Sequence, residues 1–115
     1  MKIIVGISGA SAPHYGIRVL EVLRTYEEVE THLVISDAAK LNIALETERT
    51  VGEVEALADC VYDVNDLAAP IASGSFPVDA MVIAPCSVKT LSGLANSFTS
   101  NLLIRAGDVM LKEKR

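Results

Sequence analysis

The chain has 115 residues, half of them hydrophobic, and a formal charge of −5. That length suits one domain with a buried core and is too short for two. The acidic balance argues against a nucleic-acid surface, since basic residues are scattered except for Lys112, Lys114 and Arg115 at the end.

The first element is an apolar strand, Lys2 to Ile7, running straight into Ser8-Gly9-Ala10-Ser11. A helix follows over Tyr15 to Arg24, with apolar side chains at Ile17, Leu20, Val22 and Leu23. A second strand is predicted over Thr31 to Ile35, then Ser36-Asp37 as a helix start and a helix to about Glu46. Thr50 and Glu53 have the spacing of a capping box, opening a helix to about Asp59. Val61 to Val64 is a short strand, and Asn65 to Pro77, rich in Ala, Ser, Gly and Pro, reads as a long loop. Ala80 to Ala84 is a strand whose continuous apolar run predicts cover on both faces. Pro85-Cys86-Ser87 is a turn, Val88 to Ala95 a helix, and Asn101 caps a last helix from Leu102 to about Lys112. Strands alternating with helices predict an α/β fold, a Rossmann-like sandwich on a parallel sheet.

No apolar stretch approaches the ~20 residues of a membrane span. The start lacks the pattern of a signal peptide, so a cytoplasmic location is expected. Cys60 and Cys86 have no C-x-x-C spacing, and His14 and His32 have no ligand paired with them in sequence, so no metal site is expected. Cys86 reads as a small hydrophobe rather than a nucleophile.

Strand, small-residue turn, helix is the layout that presents unpaired backbone N–H groups to an anion. Gly6-Ile7-Ser8-Gly9-Ala10-Ser11 departs from the dinucleotide fingerprint, with serines at two of its positions. The turn alone is equally compatible with Ser11 capping a helix that starts near Pro13. Two more hydroxyl-bearing turns follow strands: Ile35-Ser36-Asp37, and Pro85-Cys86-Ser87-Val88-Lys89-Thr90. A parallel sheet places all three at one edge, beyond the strands' carboxyl ends, where ligands of such sheets bind. With Lys89 they predict a site for a phosphorylated, aromatic cofactor.

These segments, together with Tyr15-Gly16, Ala38-Ala39, Ala72-Ser73-Gly74-Ser75, Asn101 to Val109 and Leu111-Lys112-Glu113, resemble the flavin prenyltransferases over nearly the whole chain. The resemblance implies FMN as cofactor and transfer of a dimethylallyl group from dimethylallyl phosphate to reduced FMN. It further implies a homo-oligomer, usually a dodecamer, and a UbiD-type decarboxylase as recipient of the prenylated flavin. Carried over residue by residue, it places Gly9, Ala10, Ser11, Ser36, Ser87, Val88, Lys89 and Thr90 at FMN. It pairs Ser11 with Glu46 for proton movement, and sets Arg105 and Lys112 around the prenyl phosphate, partly across a subunit interface.

The sequence departs from the family at Ala12, where Gly is usual, and at Leu67, where an aromatic often faces the prenyl pocket. A required positive φ would make Ala unfavourable at position 12. Family members also continue beyond the Lys-Glu-Lys-Arg ending, so residues 1–115 are expected to be one FMN-binding domain incomplete at its C-terminus, binding FMN weakly and transferring inefficiently. Several residues have plainer readings. Glu46 reads equally as a solvated acid, and Lys112 as a complement to a helix C-terminus. Arg105, in an apolar stretch, needs an anion or a carbonyl partner. Two other functions fit a flavin-binding chain: an FMN-dependent cysteine decarboxylase, and a non-catalytic flavin-binding module. The former carries an active-site histidine after a strand and an asparagine-bearing turn, and neither is evident here.

Overall fold

A computed structural model describes residues 1–115. Four strands, β1 (Lys2–Ile7), β2 (Glu30–Ile35), β3 (Cys60–Tyr62) and β4 (Ala80–Ile83), form one parallel sheet in the order β3-β2-β1-β4. The helices are α1 (His14–Leu23), α2 (Asp37–Glu46), α3 (Val51–Glu55), α4 (Val88–Ala95) and α5 (Leu102–Lys112). The predicted α/β class and all nine regular elements are present, with ends shifted by a few residues. No helix is long and apolar enough to cross a membrane.

Strand alternation sorts the side chains onto two faces. Val5, Ile7, Leu33 and Ile35 meet Ile17 and Leu20 of α1, Ala39 and Ile43 of α2, and Val54 of α3. Ile4 and Val34 meet Leu102, Leu103, Ala106 and Met110 of α5 on the other face. Each fully buried Leu or Ile here contributes about 1.5–3 kcal/mol through removal of apolar surface from water.

The segment predicted as a loop, Asn65 to Pro77, is irregular apart from a 3-10 turn at Pro70–Ala72, and it also contributes to the core, since Ala69, Ile71 and Ala72 are buried under α5. Its Pro, Ser and Gly content signalled turns, while its few apolar residues had no period to reveal their common burial. At β4 the cover predicted on both faces is incomplete: its residues are half-buried or, at Ala80, exposed.

Strand order reverses between β1 and β4, because the crossover from β1 leads to β2 on one side and that from β3 leads to β4 on the other. This switch point opens a crevice at the carboxyl ends of the central strands. Turn and helix approach closely there. A Cβ on Gly16 of α1 would overlap the Ala84 carbonyl oxygen, and one on Gly9 would overlap the Ala38 side chain at the start of α2. Those two glycines let α1 and the first turn sit against their neighbours.

Candidate functional site

Three helix starts are built by side-chain caps from the sequence. Ser36 Oγ accepts from the Ala39 N–H at α2, Ser87 Oγ from the Thr90 N–H at α4, and the Asn101 side-chain oxygen from the Ile104 N–H at α5. Each cap satisfies one first-turn donor and leaves others with no partner inside the helix. All three starts face one cleft of about 300 Å³, lined by Ser36 to Ala38, Ser87, Lys89, Thr90, Ser100 and Asn101, with Gly9, Val64 and Asn65 completing it. Residues following every strand of the sheet therefore meet in one place. Positive helix-end potential from three directions, joined by the Lys89 ammonium, suits an anion such as a phosphate. Asp37 is the one carboxylate in the lining.

The first turn is held from below. Ser8, 1% exposed, donates its hydroxyl hydrogen to the Pro85 carbonyl at 2.8 Å and accepts from the Ser87 N–H at 2.7 Å. The Asn42 side-chain amide donates to the Ala10 carbonyl at 3.0 Å. Neither Ser8 nor Asn42 was singled out as a site residue from the sequence. No spacing announces them, since each acts through a partner turn distant along the chain.

Ser11 does not cap α1. That helix starts after Pro13 with no side-chain cap. The Ser11 hydroxyl instead donates to Glu46 Oε1 at 3.2 Å, and the Ala12 N–H donates to the same oxygen at 3.2 Å. The expected pair is thus formed between the first turn and the end of α2. Glu46 lines a second cleft beside that turn with His14, Arg18, Glu21 and Arg49. Ala12 has φ 64°, the positive value at which Ala is disfavoured.

Of the eight residues expected at the cofactor, Gly9, Ser36, Ser87, Lys89 and Thr90 line the cleft, whereas Ala10, Ser11 and Val88 do not. Arg105 takes the carbonyl alternative: its Nε donates to Ala72 O at 3.1 Å. Lys112 lies two turns further along α5. Its side chain is 63% exposed, with Glu113 Oε1 4.0 Å away. Neither cation lines the cleft within one copy of the chain. Cys86 occupies the turn after β4, and partial desolvation pushes its thiol pKa up, which disfavours the thiolate a nucleophile needs.

A model of the flavoprotein family matches residues 1–115. The chain belongs to the flavoprotein family. Among curated family relatives, the flavin prenyltransferase UbiX of Salmonella typhimurium is 57% identical over 114 residues, covering 99% of this chain and 60% of its own length. The chain thus spans about three fifths of the curated relatives it matches. A solved structure of the dodecameric FMN-dependent UbiX-like decarboxylase from Escherichia coli O157:H7 superimposes with a TM-score of 0.98 and 48% identity, covering all of this chain and 62% of that one. The crystal structure of AnUbiX in complex with FMN and dimethylallyl pyrophosphate superimposes with a TM-score of 0.96 and 47% identity, covering 99% of this chain and 60% of that one.

Proposed function

We propose that this flavoprotein-family chain is part of a flavin prenyltransferase that uses reduced FMN and a dimethylallyl phosphate. The observation that carries the reading is the convergence of three capped helix starts and Lys89 on one cleft at the switch point. FMN suits these residues. Its phosphate matches unpaired first-turn N–H groups and a cation, and the absence of a side chain at Gly9 lets the first turn pack directly on the start of α2 at the cleft. Bound there, reduced FMN supplies the nucleophilic ring that accepts the prenyl group.

The chain's own residues would do the rest. Ser36, Ser87, Thr90 and Lys89 hold and orient the phosphate end of the cofactor. The Ser11–Glu46 pair holds a proton at the Ser11 hydroxyl, poised for transfer through the Glu46 carboxylate. Arg105 and Lys112 favour departure of the prenyl phosphate by stabilising its charge. Their absence from the cleft lining of one copy supports a site completed by a neighbouring copy. Tyr15, Leu41 and Leu45, exposed on α1 and α2 by 69%, 65% and 82%, supply apolar surface for such an assembly. In this reading the product serves a UbiD-type decarboxylase, and the site works in the cytoplasm.

The test mixes purified protein with FMN and dimethylallyl phosphate or pyrophosphate under reducing conditions and weighs the flavin. A flavin heavier by one prenyl group is expected, and the donor that yields it is the substrate. FMN affinity, read by fluorescence quenching, should fall in Ser87→Leu, whose side chain fills the cleft. FMN binding without a new mass would mean a non-catalytic flavin carrier. Turnover of a cysteine peptide would mean a decarboxylase. Unchanged affinity in Ser87→Leu would remove the cleft assignment.

A further inference from the structure

Toward the amino-terminal end of the sheet, away from the cleft, β2 and β3 place four polar side chains on one face. Parallel register sets His32 opposite Cys60 and Val34 opposite Tyr62. The two-residue strand period then adds Glu30 to the same face as His32. His32 is 2% exposed and is gripped at both ring nitrogens. Its Nε2 lies 2.7 Å from Glu30 Oε1, and its Nδ1 lies 2.9 Å from the Tyr62 hydroxyl. The ring also stacks on Tyr62 and meets Phe76 edge-on, with centroids 5.8 and 5.6 Å away. The Glu30 carboxylate, the His32 ring and Cys60 Sγ offer donor atoms that all lie within 4.8 Å of one another.

We propose that Glu30, His32 and Cys60 bind one divalent cation of borderline softness, Zn²⁺ being the type, with a fourth position open to water. A thiolate, an imidazole and a carboxylate are the donors such an ion takes, at metal–ligand distances of about 2.0–2.3 Å. A tetrahedron of those bonds spaces its donors about 3.4–3.6 Å apart, so the present cluster needs only local adjustment. Glu30 can supply it, since its side chain is 46% exposed at the first position of β2.

Tyr62 strengthens the case. A metal-bound histidine ordinarily donates its other ring N–H to a fixed partner, and the Tyr62 oxygen already stands at Nδ1. In a neutral ring without the ion, the carboxylate partner requires the proton on Nε2, donated to Glu30, which leaves Nδ1 to accept from Tyr62. With the ion, the ring proton sits on Nδ1 and is donated to the Tyr62 oxygen, and the Nε2 lone pair takes the metal. The Cys60 thiol gives up its proton to water, so one proton leaves for each ion bound. Burial first, then the Glu30 and Asp59 carboxylates, push the Cys60 thiol pKa up, with Lys2 pulling it the other way. A cation between these groups reverses that penalty, because the same carboxylates attract it. Such an ion would clip the three-residue edge strand β3 to β2.

The experiment titrates metal-stripped protein with Co²⁺, which reports thiolate ligation by a charge-transfer band in the near ultraviolet, and then displaces it with Zn²⁺. One equivalent with that band is expected in the wild type. Cys60→Ser should abolish the band and weaken Zn²⁺ at least tenfold, and Glu30→Gln should weaken Zn²⁺ roughly tenfold. Cys86→Ser should change neither. Zn²⁺ should raise the unfolding midpoint of the wild type and of Cys86→Ser, but not of Cys60→Ser. Cys60 and Glu30 lie outside the fully buried set, and far-ultraviolet circular dichroism checks that both variants fold. Absence of the cobalt band, or wild-type Zn²⁺ affinity in either Cys60→Ser or Glu30→Gln, would reduce the cluster to a hydrogen-bond network and overturn the proposal. A band that follows Cys86 would do the same.

Discussion

Ser8 and Ser87 share a hydrogen bond that joins the first turn of the chain to the fourth: the Ser87 N–H donates to Ser8 Oγ at 2.7 Å. The same hydroxyl donates to Pro85 O, so one buried side chain sets the spacing between the turn after β1 and the start of α4. Ser8→Ala leaves the Ser87 N–H without its acceptor in a part-buried place. An orphaned donor of that kind costs about 1–3 kcal/mol. We expect a loss of that size in urea unfolding, together with weaker FMN binding as α4 drifts. Wild-type stability in Ser8→Ala would show that the contact is dispensable.

Ala12 carries the backbone strain of the site. Its φ of 64° is unfavourable for an L side chain by roughly 1–2 kcal/mol, and Gly carries no such penalty. Greater freedom of Gly in the unfolded chain offsets part of that gain. Ala12→Gly should therefore stabilise the protein by up to about 1 kcal/mol, read as a rise in the thermal midpoint. A lowered midpoint would mean that neighbouring contacts of the Ala12 methyl outweigh the strain.

Glu46 receives two hydrogen bonds from the first turn, and its carboxylate is the base in the proposed function. Glu46→Gln keeps an acceptor for the Ser11 hydroxyl and the Ala12 N–H while removing the base. We expect nearly unchanged FMN affinity and a transfer rate lower by about 10²–10⁴, the usual worth of a positioned acid or base. Equal loss of binding and rate would reassign Glu46 to holding the turn.

The capping box at α3 has a pH signature. The Thr50 N–H donates to the Glu53 carboxylate and the Glu53 N–H donates to Thr50 Oγ. Those bonds hold the Glu53 pKa below its ordinary value, chiefly through the Thr50 backbone. A depressed carboxylate contributes its stability above its unfolded pKa and loses it as pH falls through the folded one. Wild-type stability should therefore drop more steeply than that of Glu53→Gln across the lower carboxylate range. Parallel curves for the two proteins would mean that the box does not couple to folding.

Much of the site was legible because its parts are local. Ser36 and Asn101 cap the helices they were expected to start, Thr50 with Glu53 closes the predicted box, and Ser87, read as a turn residue, caps the helix predicted from Val88. Capping is a relation over three residues, which a sequence displays directly. Ser11 was ambiguous for the same reason. A serine before a helix offers a cap by spacing alone, and only the placement of α2 decided that its hydroxyl goes to Glu46.

By itself the sequence determined the alternation of strands and helices, the helix starts and the turns that face the cleft. Hydrophobic period, cap spacing and small-residue turns are short-range properties. The tertiary structure alone decided the strand order β3-β2-β1-β4 and the burial of Ile71 under α5. It also decided the Ser8 link to Ser87 and the meeting of His32 with Cys60, 28 residues apart in number but paired in register. The physical reason is common to all four. Each depends on how separate elements stack to bury apolar area, and that packing brings together residues whose sequence separation carries no trace of it.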